Sequence, residues 1–108
     1  MGLKDKKCVP CEGGTPPLTE KRAGALRRGL KPEWHLTPDH KLCRVFGFRD
    51  FPAAIKFVNQ IAALAEAESH HPDLLINYNK VTVTLWTHAI GGLSENDFIL
   101  AAKIDAFN

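Results

Sequence analysis

The chain is short of most features that mark specialised classes. No stretch approaches the ~18 uninterrupted apolar residues of a membrane-spanning helix, so no such span is expected. Neither sign of charge dominates. Fourteen Lys and Arg against 12 Asp and Glu leave +2, too little to argue for nucleic-acid binding on electrostatic grounds. Cysteine is scarce and odd in number, at three, which argues against a secreted disulfide scaffold and for a reducing compartment, the cytoplasm. The start, Met1-Gly2-Leu3-Lys4-Asp5-Lys6-Lys7, is basic but lacks the apolar core of a secretory signal. No internal repeat is visible. What is present is ordinary: 108 residues, 44% apolar and 24% charged, fit one soluble globular domain. A chain of this size buries about 65% of the surface it exposes when unfolded, enough for a core without staples.

Charge is unevenly placed, with ten of the 14 basic residues in the first 44 positions. Residues 1–17 contain Cys8-Val9-Pro10-Cys11, Gly13-Gly14 and Pro16-Pro17 without an apolar period, and read as a flexible N-terminal arm. The remainder, 18–108, reads as a single domain. Thr19 suits a helix N-cap, Leu18 can pack on the first turn, and Ala23, Leu26 and Leu30 form a stripe. Trp34–Leu36 and Leu42–Phe48 read as strands joined by a turn with Pro38 at its second position. Asp50 can cap a second helix with Pro52 early, where a missing N–H costs little. Phe51, Ala54, Ile55, Val58, Ile61, Ala62 and Ala65 give its apolar stripe.

His71 precedes Pro72, which pushes it towards extended geometry, so the second helix should stop before the histidine pair. Two alternating segments follow, 73–78 and 81–86, with Asn79-Lys80 as a two-residue turn. Gly91-Gly92 breaks the chain. Ser94 caps a third helix, with Asp97 in the capping-box position and Phe98, Ala101, Ala102 and Ile104 facing the core. The order helix, hairpin, helix, hairpin, helix predicts an α+β two-layer sandwich: a four-stranded antiparallel sheet with three helices on one face.

Three of the five histidines, His70, His71 and His88, fall within 19 residues and outside helix stripes. Histidine is the side chain that gives and takes protons near neutrality, so a cluster can hold one neutral base and one protonated acid at the same pH. A His-His pair in a loop is also a common solvated surface feature, so composition alone does not decide its role. No His-x-x-x-His spacing suggests a metalloenzyme helix.

The spacing Glu66, His70-His71-Pro72, Tyr78, His88, Asp97 resembles the signature of the pterin-4a-carbinolamine dehydratase family. Trp34, Arg44-Val45-Phe46-Gly47-Phe48, Asp50-Phe51 and Thr87-His88 followed by Gly91-Gly92-Leu93 resemble it too, so the likeness covers about Leu18 to Ile104. The resemblance implies a dehydratase that converts 4a-hydroxytetrahydropterin, such as 4a-hydroxytetrahydrobiopterin, to quinonoid dihydropterin. That reaction recycles the cofactor of aromatic amino-acid hydroxylases. The likeness implies no metal and no cofactor, and a homodimer or homotetramer. It also leaves open a dimerisation or coactivator module on the same scaffold.

The implied catalytic set is His70, His71 and His88. Asp97 can orient an imidazole and cap the third helix at once; Glu66 can pair with a histidine or simply be solvated. Trp34, Thr87 and Pro72 are candidates for contacting the substrate, although Trp34 and Trp86 serve equally well as packing, and Tyr78 reads as packing. The Cys8–Cys11 pair lies outside the resemblance. It can serve redox or zinc chemistry in principle, but zinc would need two more ligands. His40 and Cys43 are the conceivable ones, and Cys43 reads better as a small buried hydrophobe.

Overall fold

A computed structural model of the chain describes residues 2–9 and 15–107. Its elements run α1 (Glu20–Arg27), β1 (His35–Leu36), β2 (Leu42–Gly47), α2 (Phe51–Glu68), β3 (Asp73–Asn77), β4 (Lys80–Leu85) and α3 (Glu95–Asp105). Short 3-10 turns lie at Leu3–Asp5 and His88–Ile90. The four strands form one antiparallel sheet in the order β1-β2-β4-β3. The expected α+β architecture is therefore the observed one.

The caps explain the helix starts. Thr19 and Asp50 accept the backbone N–H groups of Arg22 and Ala53, and Pro52 sits in the first turn of α2. Alternation explains the sheet. Leu42, Phe46, Val81, Val83 and Leu85 point inward and pack on Ala54, Phe57 and Ile61 of α2 and on Phe98, Leu100 and Ile104 of α3. Each fully buried aliphatic or aromatic side chain contributes about 1.5–3 kcal/mol.

Two local expectations need correction. The buried line of α2 is Ala54, Phe57, Ile61 and Ala65, rotated from the expected stripe; Phe51 and Ala62 are exposed. Phe57 wins because it packs between Phe46 and Phe48 in tilted ring contacts, with centroids 4.7 and 5.0 Å away. The β3–β4 turn is Tyr78-Asn79, since Asn77 pairs with Lys80. Tyr78 takes the left-handed backbone there (φ 50°). Asn79 is fastened to the end of β2: its side chain donates to the Phe48 carbonyl and its own carbonyl accepts the Phe48 N–H.

The described part of the N-terminal segment lies against the domain. Residues 3–5 pack on α3, Lys6 pairs with Glu95 at 3.1 Å, and Cys8 and Val9 donate backbone N–H groups to Glu68 and Asn96. Cys11 lies outside the described residues. This cover is why α3 is buried on nearly every side, where the sequence suggested one stripe.

Candidate active site

The site is built where α2 ends, β4 ends and α3 begins. Ser69 stops α2 by turning left-handed (φ 54°, ψ 37°), and both its N–H and that of His70 bond to the Ala65 carbonyl. Pro72 then directs the chain into β3, so His70 and His71 leave the helix at its rim. Beyond β4, Thr87 and Gly92 exchange backbone hydrogen bonds of 2.8 and 3.4 Å, closing a loop around the turn that carries His88. Gly91 is left-handed in that loop (φ 65°), which glycine adopts without a Cβ clash. Gly92 has a different reason: a Cβ there would lie 2.7 Å from Cβ of Pro17.

Asp97 is fully buried and joins these parts. Its Oδ1 lies 2.6 Å from Nε2 of His70. Its Oδ2 accepts the Thr87 hydroxyl at 2.9 Å and the Ser94 N–H at 2.9 Å. Ser94 in turn receives the N3 backbone N–H, completing the capping box, so Asp97 caps α3 and contacts His70 at the same time. A ring nitrogen facing a carboxylate donates to it, so Nε2 is the donor in the contact of His70 with Asp97. His71 is held in the same sense by Glu66, 2.5 Å from Nε2, though this pair is mostly exposed. His88 is exposed and its ring stacks on Trp86, centroids 3.8 Å apart at 24°. The Trp86 indole is fixed by its N–H bond to Asp73, 3.1 Å.

His70, His71 and His88 line one cleft of about 590 Å³ together with Pro72, Trp86 and Thr87. That volume suits a small bicyclic ligand. His70, His71, His88, Pro72 and Thr87 are thus brought to one cleft, with Asp97 against His70 and Glu66 against His71. Thr87 lies along the cleft, but its hydroxyl is committed to Asp97. Trp34 is the exception and must be withdrawn as a substrate contact. It is 0% exposed, edge-on to Phe46, with its indole N–H donated to Asp105 at 2.9–3.0 Å. A large apolar ring whose N–H finds a buried acceptor is most stable inside.

Sequence reasoning missed the other boundary of the cleft, which includes Lys7, Cys8, Val9, Glu68 and Asn96. Burial, followed by the nearby Glu68 charge, pushes the Cys8 thiol up to about 12, so it remains a protonated, weakly polar group. Glu68 is held below the usual carboxylate range, first by the Cys8 N–H it accepts. The asparagine beside Asp97 and the glutamate at the end of α2 carry no periodic signal that would have flagged them. Among the described residues, no three His, Cys, Asp or Glu side chains are grouped as a metal site requires.

A family model described as "Pterin 4 alpha carbinolamine dehydratase" matches residues 16–107. The chain belongs to the pterin-4a-carbinolamine dehydratase family. A Rickettsia bellii protein named "Putative pterin-4-alpha-carbinolamine dehydratase" is 53% identical over 103 residues, covering 95% of this chain and 91% of the relative. A Nitrosomonas eutropha protein of the same name is 48% identical, covering 95% and 90%. Among solved structures, the Brucella melitensis "transcriptional coactivator/pterin dehydratase" matches with TM-score 0.79 and 37% identity, covering 83% of this chain and 96% of that one. Membership in the dehydratase family makes the chain a hydro-lyase whose substrate is a pterin carbinolamine.

Proposed function

We propose that the protein converts 4a-hydroxytetrahydropterin, such as 4a-hydroxytetrahydrobiopterin, to the quinonoid dihydropterin by histidine acid/base catalysis. The observation that carries this reading is the convergence of His70, His71 and His88 on one cleft, with His70 braced by the fully buried Asp97. Hydroxide is a poor leaving group, so the C4a oxygen takes a proton as its carbon–oxygen bond breaks. The N5–H bond gives its electron pair to the new C4a=N5 double bond and its proton to a base. The sum is loss of one water, with nothing oxidised or reduced. His70 and His88 flank the C4a hydroxyl and N5, and His71 is the third imidazole against the pterin. Each positioned acid or base contributes typically ~10²–10⁴-fold.

The protein works in this reading as a cytoplasmic homodimer or homotetramer that returns spent pterin to aromatic amino-acid hydroxylases. Support for self-association comes from the outer face of the sheet. There Val45 and Leu75, 52% and 58% exposed, flank Thr82 in one cross-strand row. A second reading, a coactivator or dimerisation module on the same scaffold, is favoured only by the name of the Brucella melitensis relative. The carbinolamine's ultraviolet absorbance separates the readings. Accelerated decay, unchanged by chelator, is the expected result. No acceleration leaves the binding module, and chelator-sensitive decay points to a metal.

A further inference from the structure

The family model begins at residue 16, yet the cleft includes residues that precede it. Lys7, Cys8 and Val9 line the same cavity as the three histidines. Their attachment runs through the backbone. The Cys8 N–H is donated to Oε1 of Glu68 at 2.9 Å, and Glu68 is itself steadied by Lys103 at 3.7 Å. Asn96 clips Val9 at two points, accepting its N–H at Oδ1 (2.9 Å) and donating Nδ2 to its carbonyl. The Cys8 thiol adds a weak bond to the Asn96 carbonyl. Upstream, Lys6 pairs with Glu95 and residues 3–5 pack on α3.

We propose that Lys7–Val9 form a substrate-positioning wall of the cleft, with Glu68 and Asn96 as the positioning residues that hold it. The inference rests on the dehydratase reading above. Three features support it. The anchors are the last residue of α2 and a first-turn residue of α3, next in sequence to the two groups that form the His70–Asp97 pair: Ser69 alone separates Glu68 from His70, and Asn96 adjoins Asp97. The ties read main-chain atoms, so they fix where the segment lies whatever its side chains are. A wall already tied down costs little ordering when a ligand enters, so it strengthens binding through preorganisation. It also excludes water from one side of the imidazole–carboxylate pair, where electrostatic contacts gain strength.

The test uses the full-length chain and steady-state dehydration of 4a-hydroxytetrahydropterin. Cys8→Pro removes the donated N–H, and the thiol's weak bond with it, without changing a residue of α2 or α3. Asn96→Ala removes both ties to Val9. Glu68→Ala removes the acceptor, while Glu68→Gln keeps an amide oxygen in its place. Cys8→Pro, Asn96→Ala and Glu68→Ala should raise KM about fivefold or more with kcat within about twofold, the pattern of lost ligand binding, and Glu68→Gln should return KM towards wild type. A tie that only stabilised the fold would lower the folded fraction, hence apparent kcat, and leave KM alone. An unchanged KM in both Cys8→Pro and Asn96→Ala, beside an active wild type, overturns the inference. A wild type with no turnover overturns the dehydratase reading and this inference with it.

Discussion

Oδ1 of Asp97 lies 2.6 Å from Nε2 of His70, and the carboxylate that makes this contact is wholly removed from solvent. The same carboxylate holds Thr87 and Ser94 through its other oxygen. One side chain therefore links the start of α3, the segment that follows β4 and His70.

Replacing Asp97 by asparagine tests what that contact does. The amide oxygen can still accept from Thr87 and Ser94, which turns the NH₂ group towards His70. Nε2 must then accept, so the ring proton moves to Nδ1 and that nitrogen loses its free lone pair. Asp97→Asn is expected to fold and to lose ~10²-fold or more in kcat, read by the rate of carbinolamine decay. Asp97→Ala, which leaves the Ser94 N–H without its acceptor and the Thr87 hydroxyl with only the Ser94 hydroxyl as partner, should also lose about 1–3 kcal/mol in denaturant unfolding.

The Glu66–His71 pair should behave differently. Its side chains are 79% and 61% exposed, so its ionic contact is screened by water. Glu66→Gln should change unfolding free energy by less than about 0.5 kcal/mol, as exposed pairs generally do. Its effect on turnover should be smaller than that of Asp97→Asn in the same assay.

Trp86 and Trp34 give a spectroscopic contrast. Trp86 borders the cleft and stacks on His88, whereas Trp34 is buried against Phe46 and Asp105. Titration with a stable dihydropterin should quench the indole emission of the wild type. Trp86→Phe should abolish most of the quenching, and loss of quenching only in Trp34→Phe would place the ligand elsewhere.

Asp105 lies behind Trp34 and bonds Nη1 of Arg44 at 2.8 Å, both side chains under one tenth exposed. Asp105→Ala leaves the guanidinium buried without its counter-charge, a loss of about 3–5 kcal/mol in chemical unfolding. Turnover per folded molecule should be unchanged, because this network does not touch the cleft.

The N-terminal wall carries a pH signature. Glu68 sits below the ordinary carboxylate range, chiefly because it accepts the Cys8 N–H. The folded state thus favours the ionised form. Its stabilisation is complete above the ordinary glutamate value of ~4.3 and is lost as pH falls through the lower folded value. Hydrogen-exchange protection at the Cys8 amide, corrected for the intrinsic rate, should hold steady down to about pH 5 and drop below about pH 4.

Much of this was legible in the residues, for identifiable reasons. Thr19, Asp50 and Ser94 cap helices through local bonds, so their signals survive in sequence. Strand alternation from Leu42 and from Val81 is equally local. The phase of α2 was misjudged because Phe51 and Phe57 are equally apolar, and only the tertiary packing of Phe57 between Phe46 and Phe48 separates them. The Tyr78-Asn79 turn was missed because a tyrosine, not a glycine, takes the left-handed position. Trp34 was ambiguous because one side chain serves a flat ligand or a core, and its Asp105 partner is 71 residues away. The wall at Lys7–Val9 had no periodicity to reveal it; main-chain bonds to Glu68 and Asn96 leave no pattern along the chain.

The central claim is that His70 and His88 move the protons of dehydration. Stopped-flow decay of the carbinolamine absorbance, with His70→Ala and His88→Ala beside wild type, tests it most directly. Each single variant should fall by ~10²-fold or more in kcat while a dihydropterin still binds. Variants that bind and turn over at the wild-type rate would contradict it.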